Sequence, residues 1–352
     1  MLLSSGLVVS RDEDTVVATT WQNGPRGWVV GSLLRVWTVA ADRVEDHTVG
    51  PTGFFWIVPW PENRFAIVRG EIERPDASEA NALLDQGKVP RVSIRSLEDP
   101  LTEIAAGRIT SDGRQELDGD PSAWDVPTTL IPLGFPLVLR VDRGGVTMHR
   151  IGVVPPSPDR GDGDDYRLTP LGDGRTVLLS HTRYGEELLV VDVVDDTVVA
   201  RTVLEGVSPG AVELLPRRNE VWIGQHDQLL RFDPVRMAVS DAVRLRNDES
   251  GSFIEALWCA PSEKRCAVAY ALRSWQPPVA EPGGGHVLVF DVDAFEVVGS
   301  ADAPNWATEV ALMSNDRVCG QLWKDNTMWL GQISSAKYPL YSPRAPGERN
   351  WL

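Results

Sequence analysis

Short apolar runs rich in β-branched residues alternate with polar turn residues along this chain, and one pattern returns seven times. An apolar run meets a charged or small residue, then a tight turn, then a second strand-like run. The seven runs are LLRVWTV (Leu33 to Val39), RVSIRS (Arg91 to Ser96), LVLRVDR (Leu137 to Arg143), LLVVDVV (Leu188 to Val194), LLRFDPV (Leu229 to Val235), VLVFDVD (Val287 to Asp293) and MWLGQIS (Met328 to Ser334). They recur at spacings of 41 to 58 residues. A period of about 50 residues fits a unit of four strands, the blade of a β-propeller.

The neighbours of each run support four strands per unit. LLVVDVV is preceded by GRTVLLSH (Gly174 to His181) and followed by the turn Asp195-Asp196 and TVVARTVL. The next unit reads SPGAVELLP, RRNEVWIG, LLRFDPV and SDAVRLR, four strands a, b, c and d in order. Crossover helices have little room between such short strands, so the pattern counts against a parallel α/β fold. The expected fold is all-β: a single β-propeller of about seven four-stranded blades. No internal boundary is legible, so the propeller is expected to span 1–345, with a surface tail at 346–352.

Two segments break the period. PDASEANALLDQG (Pro75 to Gly87) reads as a short helical insertion between strands b and c of the second unit, with Asp76 or Ser78 as cap and Gly87 as terminator. DRGDGDD (Asp159 to Asp165) reads as an acidic loop joining units three and four. The third unit has a weak a strand between Arg114 and Val126, which leaves the blade count open by one.

The stretch from about Tyr166 to Val298 resembles the bacterial YVTN-type seven-bladed propellers. LLVVDVVDDTVVARTVLEGVSPGAVELLP with NEVWIG, and VLVFDVDAFEVVGS, carry the likeness. The b strand reads VWIG or VLLS where that family has its namesake residues. A WD40 assignment fits less well, because no unit ends in Trp-Asp. The resemblance implies that the b–c and d–a connections form the usual ligand face.

Composition narrows the partners. A formal net charge of −16 counts against nucleic acid and against an anionic membrane surface. No apolar stretch of about 18 residues suggests a membrane span, and the N-terminus lacks a basic region typical of a signal peptide. The cytoplasm is the expected location. Three cysteines make no disulfide framework; Cys259 and Cys266 face each other across an a–b hairpin and read as two buried thiols.

Thirteen tryptophans are many for 352 residues. Trp37, Trp56, Trp222 and Trp258 lie within strand patterns. Trp21, Trp275, Trp306 and Trp323 fall near loop ends, together with Arg183, Tyr184 and Arg273. Aromatic residues mixed with Arg form protein-binding hot spots or line small-molecule pockets; the plainer reading is that the rings plug wedges between blades. A protein partner is the expectation, with a small molecule as the alternative.

Chemistry has weaker candidates. Glu213, Glu255 and Glu309 sit on inner strands, where converging carboxylates bind a cation or share a proton, or simply line a wet channel. His181 and His226 end successive b strands and are candidate general bases. No zinc spacing, phosphate loop, EF-hand or G-x-S-x-G is present, so no metal or cofactor is expected. The first functional reading is a non-catalytic scaffold. The alternative is a propeller hydrolase or lyase using Glu255, Glu309, His181 or His226 on a small molecule in the axial funnel.

Overall fold

The computed structural model describes residues 6–23, 29–49, 55–69, 91–109, 115–134, 137–143, 145–153, 166–181, 187–204, 211–215, 217–225, 228–245, 252–260, 262–272, 285–304, 307–314, 316–322 and 327–335. It divides into two compact units, residues 1–175 with 193–197 and residues 176–192 with 198–352. Every described sheet is a meander with its strands in chain order.

Sheet I holds β1 (Leu7–Val9), β2 (Thr15–Asn23), β3 (Val29–Thr38) and β4 (Arg43–His47). Sheet II holds β5 (Phe55–Trp60), β6 (Arg64–Arg69), β7 (Arg91–Ser96), β8 (Glu103–Ile109) and β9 (Gln115–Gly119). Sheet III holds β10 (Thr129–Gly134), β11 (Leu137–Asp142) and β12 (Gly145–Arg150). Sheet IV comprises β13 (Tyr166–Pro170), β14 (Thr176–His181), β15 (Glu187–Asp192) and β16 (Thr197–Val203). Sheet V comprises β17 (Ala211–Leu215), β18 (Glu220–Gln225), β19 (Gln228–Asp233) and β20 (Ala238–Arg244). Sheet VI is β21 (Ser252–Cys259), β22 (Arg265–Leu272), β23 (Gly285–Asp291) and β24 (Glu296–Ala303). Sheet VII is β25 (Ala307–Met313), β26 (Arg317–Leu322) and β27 (Met328–Gln332).

The seven periodic runs are the c strands β3, β7, β11, β15, β19, β23 and β27. Burial explains why they stand out: a c strand such as β15 is packed on both faces, so its sequence is a near-continuous apolar run. The fold is all-β, and among the described residues the only helical turn is a 3-10 turn at Pro121–Trp124. No described helix is long and apolar enough to cross a membrane. The helix expected over 75–87 lies outside the described residues.

Among the described residues four sheets have the expected four strands, sheet II has five, and sheets III and VII have three. Two expectations need correction. The segment expected to supply strand a of the third unit forms β9, which pairs with β8 at the outer edge of sheet II. Its sequence, QELDG, has one apolar residue and suits an edge better than an enclosed inner position. The 3-10 turn that follows fills the core instead. Trp124 and Ala123 are buried in the cluster that joins sheets II and III, and the Trp60 indole donates to the Ala123 carbonyl at 2.9 Å. Gly107 is needed beneath it, since a Cβ there would stand 2.7 Å from the Trp124 ring. Finally, Cys259 and Cys266 are bonded to each other and are not free thiols. They are register partners on β21 and β22, with Cα atoms 4.1 Å apart, which brings both sulfurs to the same side of the hairpin.

Tight turns join a to b and c to d. A residue in the left-handed region stands in each described a–b turn: Glu13, Asn63, Gly174, Asn219, Glu263 and Asp316. The same conformation recurs in c–d turns at Asp42, Asp196, Met237 and Phe295. Asn, Asp and Gly accept this region at little cost, whereas Glu, Met and Phe need compensating contacts. Apolar clusters then tie consecutive sheets together within each unit, with Trp222, Phe232 and Phe290 among the largest fully buried side chains.

Candidate functional site

In an antiparallel meander, the a–b and c–d turns leave one end of a sheet and the b–c and d–a connectors leave the other. The two ends differ in the length of their longest connectors. Connectors at the b–c end include residues 70–90, between β6 and β7, and residues 273–284, between β22 and β23. The a–b and c–d turns are short, and several of their polar and charged groups are committed to holding neighbouring segments.

That commitment is visible residue by residue. The Arg11 amide donates to the Asn63 side-chain oxygen at 2.8 Å, joining the first turns of sheets I and II. The Gly152 and Val153 amides, which follow β12 on the connector to sheet IV, both donate to Asp196 Oδ1 of a c–d turn, at 2.9 and 3.1 Å. The Arg217 amide donates to Glu263 Oε1 at 2.7 Å, and Arg218 pairs with Asp293 at 2.6 Å. Arg265 reaches Asp316 at 2.8 Å. The Asp293 carboxylate raises the pKa of Arg218 above its ordinary value. Hydrogen bonds from the Ser10 and Ser122 hydroxyls hold the carboxyls of Asp12 and Asp120 below the usual range. Two shallow openings lie at this end, of about 440 and 400 Å³. Arg143 and Asp125 line the first, and Arg11 and Glu62 the second. Neither holds one of the candidate acids or bases.

In sequence, the predicted binding residues fall at the end of a b strand, between b and c strands, or between a d and an a strand. Trp21 stands near the end of β2, opposite Ser32 of β3. Arg183 and Tyr184 lie between β14 and β15, Arg273 and Trp275 between β22 and β23, and Trp323 between β26 and β27. Trp306 lies on the d–a connector between β24 and β25. Apart from the backbone of Trp21, these residues lie outside the described residues. Other tryptophans follow the plainer reading: Trp37, Trp60, Trp124, Trp222 and Trp329 are buried.

The catalytic candidates stand on separate strands. Glu213 is on β17, Glu255 sits at the bulge of β21 between Ile254 and Ala256, and Glu309 is on β25 opposite Gln321. The Glu213 carboxyl accepts the Cys259 amide at 3.3 Å. Loss of solvation pushes that carboxyl up to about 8, against the opposing pull of the Cys259 bond. The residue is half-buried overall, and its carboxyl is the desolvated end. His181 closes β14, and His226 lies outside the described residues. Among the described residues no three His, Cys, Asp or Glu side chains are placed to hold a metal ion.

Sequence reading missed the Glu13 and Glu263 turns. Both are buried, at 6% and 4% exposure, despite carrying a carboxylate. The signal was present in part: each stands at the position that Asn, Asp or Gly fills in the other a–b turns.

No family model matches the chain, and no curated protein matches it in sequence. Likeness appears at the level of structure. The β-propeller domain of Cps50 (Swd1) from Myceliophteria thermophila superposes with a TM-score of 0.51 at 8% identity, over 95% of this chain and 97% of that one. A chain from a mitotic checkpoint complex aligns with a TM-score of 0.48 at 12% identity, over 93% of this chain and 86% of that one. The first likeness shows the fold, a β-propeller with the seven meander sheets as blades. Because 1149 solved chains match this one, the fold by itself selects no activity.

Proposed function

We propose that this chain is a non-catalytic interaction scaffold, a rigid propeller that presents a Trp- and Arg-bearing face to a protein partner. The face comprises Trp21, Arg183, Tyr184, Arg273, Trp275, Trp306 and Trp323. The observation that supports this reading is the place of the nominated residues between the strands. At the a–b and c–d end several described groups hold neighbouring turns: Glu263 accepts the Arg217 amide and Arg218 pairs with Asp293. All seven nominated residues belong to b strands' ends, b–c connectors or a d–a connector. Tryptophan and arginine are the side chains that dominate binding energy when a partner desolvates them. Kinship with the YVTN-type propellers and a cytoplasmic location belong to the same reading.

The test is capture of partners from the native host's lysate by the wild-type chain and by a Trp306→Ala/Trp323→Ala variant, both checked for folding. A partner held by the wild type and lost by the variant supports the scaffold. Equal retention by both removes the face from the account.

A further inference from the structure

The bond between Cys259 and Cys266 closes the a–b turn of sheet VI, and that turn touches both flanking sheets. Cys259 and Cys266 are the last register pair of β21 and β22 before the turn, seven residues apart. Six further register pairs, from Ser252–Leu272 to Trp258–Ala267, join the two strands. What lies on the turn is different in kind. Cys259 gives its amide to Glu213 of sheet V, Glu263 takes the Arg217 amide of sheet V, and Arg265 holds Asp316 of sheet VII. Glu263 does so from a left-handed backbone, φ 53°, with 4% exposure, so its position depends on the geometry of the turn.

We propose that the Cys259–Cys266 disulfide is a redox-responsive clasp: oxidised, it fixes the turn that joins sheet VI to sheets V and VII; reduced by a small thiol, it frees those contacts while the hairpin stays paired. Cys259 is half-buried and Cys266 fully buried, so the entering thiolate attacks the Cys259 sulfur. Cys266 leaves as thiolate and takes a proton, and Cys259 is held in a mixed disulfide. A second thiol attacks the sulfur that the first one brought. Cys259 departs as thiolate and is protonated, and the two small thiols leave joined. One disulfide and two thiols thus become two cysteine thiols and one small disulfide.

The full folded chain, equilibrated in glutathione buffers of graded reduced-to-oxidised ratio, tests this by alkylation, intact mass and hydrogen exchange. Cys259 and Cys266 should pass together from no adduct to two within the series, while buried Cys319 stays unlabelled. In the reduced chain, amides over 211–219, 259–266 and 314–317 should exchange at least about tenfold faster, and those of the other sheets at unchanged rates. Cys266→Ser should show the reduced pattern at every ratio; should it fail to fold, the reduced wild type decides. A bond that yields only when the chain unfolds makes the disulfide a static staple and overturns the clasp. So does reduction that leaves exchange at these three segments unchanged, or that speeds exchange everywhere.

Discussion

The indole of Trp222 meets the ring of Phe295 edge-on, with centroids 5.1 Å apart and planes at 86°. Trp222 belongs to the b strand of sheet V and Phe295 to the c–d turn of sheet VI, so this contact joins consecutive sheets. Phe290 adds a second edge contact to the same indole, at 5.8 Å. The Arg231 guanidinium lies 5.3 Å from the Phe295 centroid. Arg231 is itself oriented by a two-point pair with Glu220, at 2.9 and 2.6 Å, and Glu220 also accepts the Trp222 indole N–H. Phe295 holds a left-handed backbone, φ 54°, which a bulky residue adopts only when packing pins it.

Phe295→Ala is therefore expected to destabilise the chain by about 3 kcal/mol, the ordinary loss for a large buried aromatic. Relief of the left-handed strain offsets little of it, since Ala is also disfavoured there. Equilibrium denaturation of the wild type and variant measures the difference. A loss below about 1 kcal/mol would show that the site collapses readily and that the Trp222 contact matters little.

At Gly119 the backbone, not a cavity, sets the outcome. Its φ is +84°, and a Cβ would lie 2.4 Å from the Ile104 carbonyl oxygen. Gly119→Ala should cost about 2 kcal/mol and loosen β9 from β8, combining a strained conformation with a clash against main chain. Hydrogen exchange of residues 115–119 against residues 91–96 reads this directly: the first set should accelerate and the second should not.

Glu213 gives stability a pH dependence of known sign. Its folded pKa, about 8, lies above the ordinary 4.5. Between those values the folded chain binds more protons than the unfolded one, so this group's contribution to stability falls as pH rises and levels off above about 8. Glu213→Gln removes the slope. Relative to wild type, the variant should gain on the order of 2 kcal/mol between pH 5 and pH 8, after allowance for the partial exposure of the residue. Parallel denaturation curves across that range for the two proteins would place the Glu213 carboxyl in solvent.

Legibility tracked burial. The c strands announce themselves because packing on both faces makes each a continuous apolar run, as in LLVVDVV and VLVFDVD. Strand β9 misled because weak alternation near Leu117 fits an edge as well as an inner strand; only the pairing partner, β8, tells them apart. The disulfide depends on register, which places Cys259 opposite Cys266, and on whether the sulfurs meet, which spacing alone does not fix. Glu263 hid for a related reason. A charged residue in a turn reads as solvent-exposed, whereas this one is buried and accepts the backbone N–H of Arg217, 46 positions away. Of the candidate site, the strands that carry Glu213, Glu255 and Glu309 were legible, and among the described residues no three His, Cys, Asp or Glu side chains are placed to hold a metal ion.

The four lysines provide the most direct measurement. Lys88 lies on the b–c connector of sheet II and Lys324 on that of sheet VII, whereas Lys264 lies on an a–b turn and is exposed; Lys337 lies beyond the last strand. Amine-reactive footprinting of the chain, alone and bound to its captured partner, reports which end of the sheets is covered. The scaffold account predicts that Lys88 or Lys324 becomes protected while Lys264 keeps its reactivity. Protection of Lys264 with Lys88 and Lys324 unchanged would place the partner on the a–b and c–d turns and contradict the proposed face.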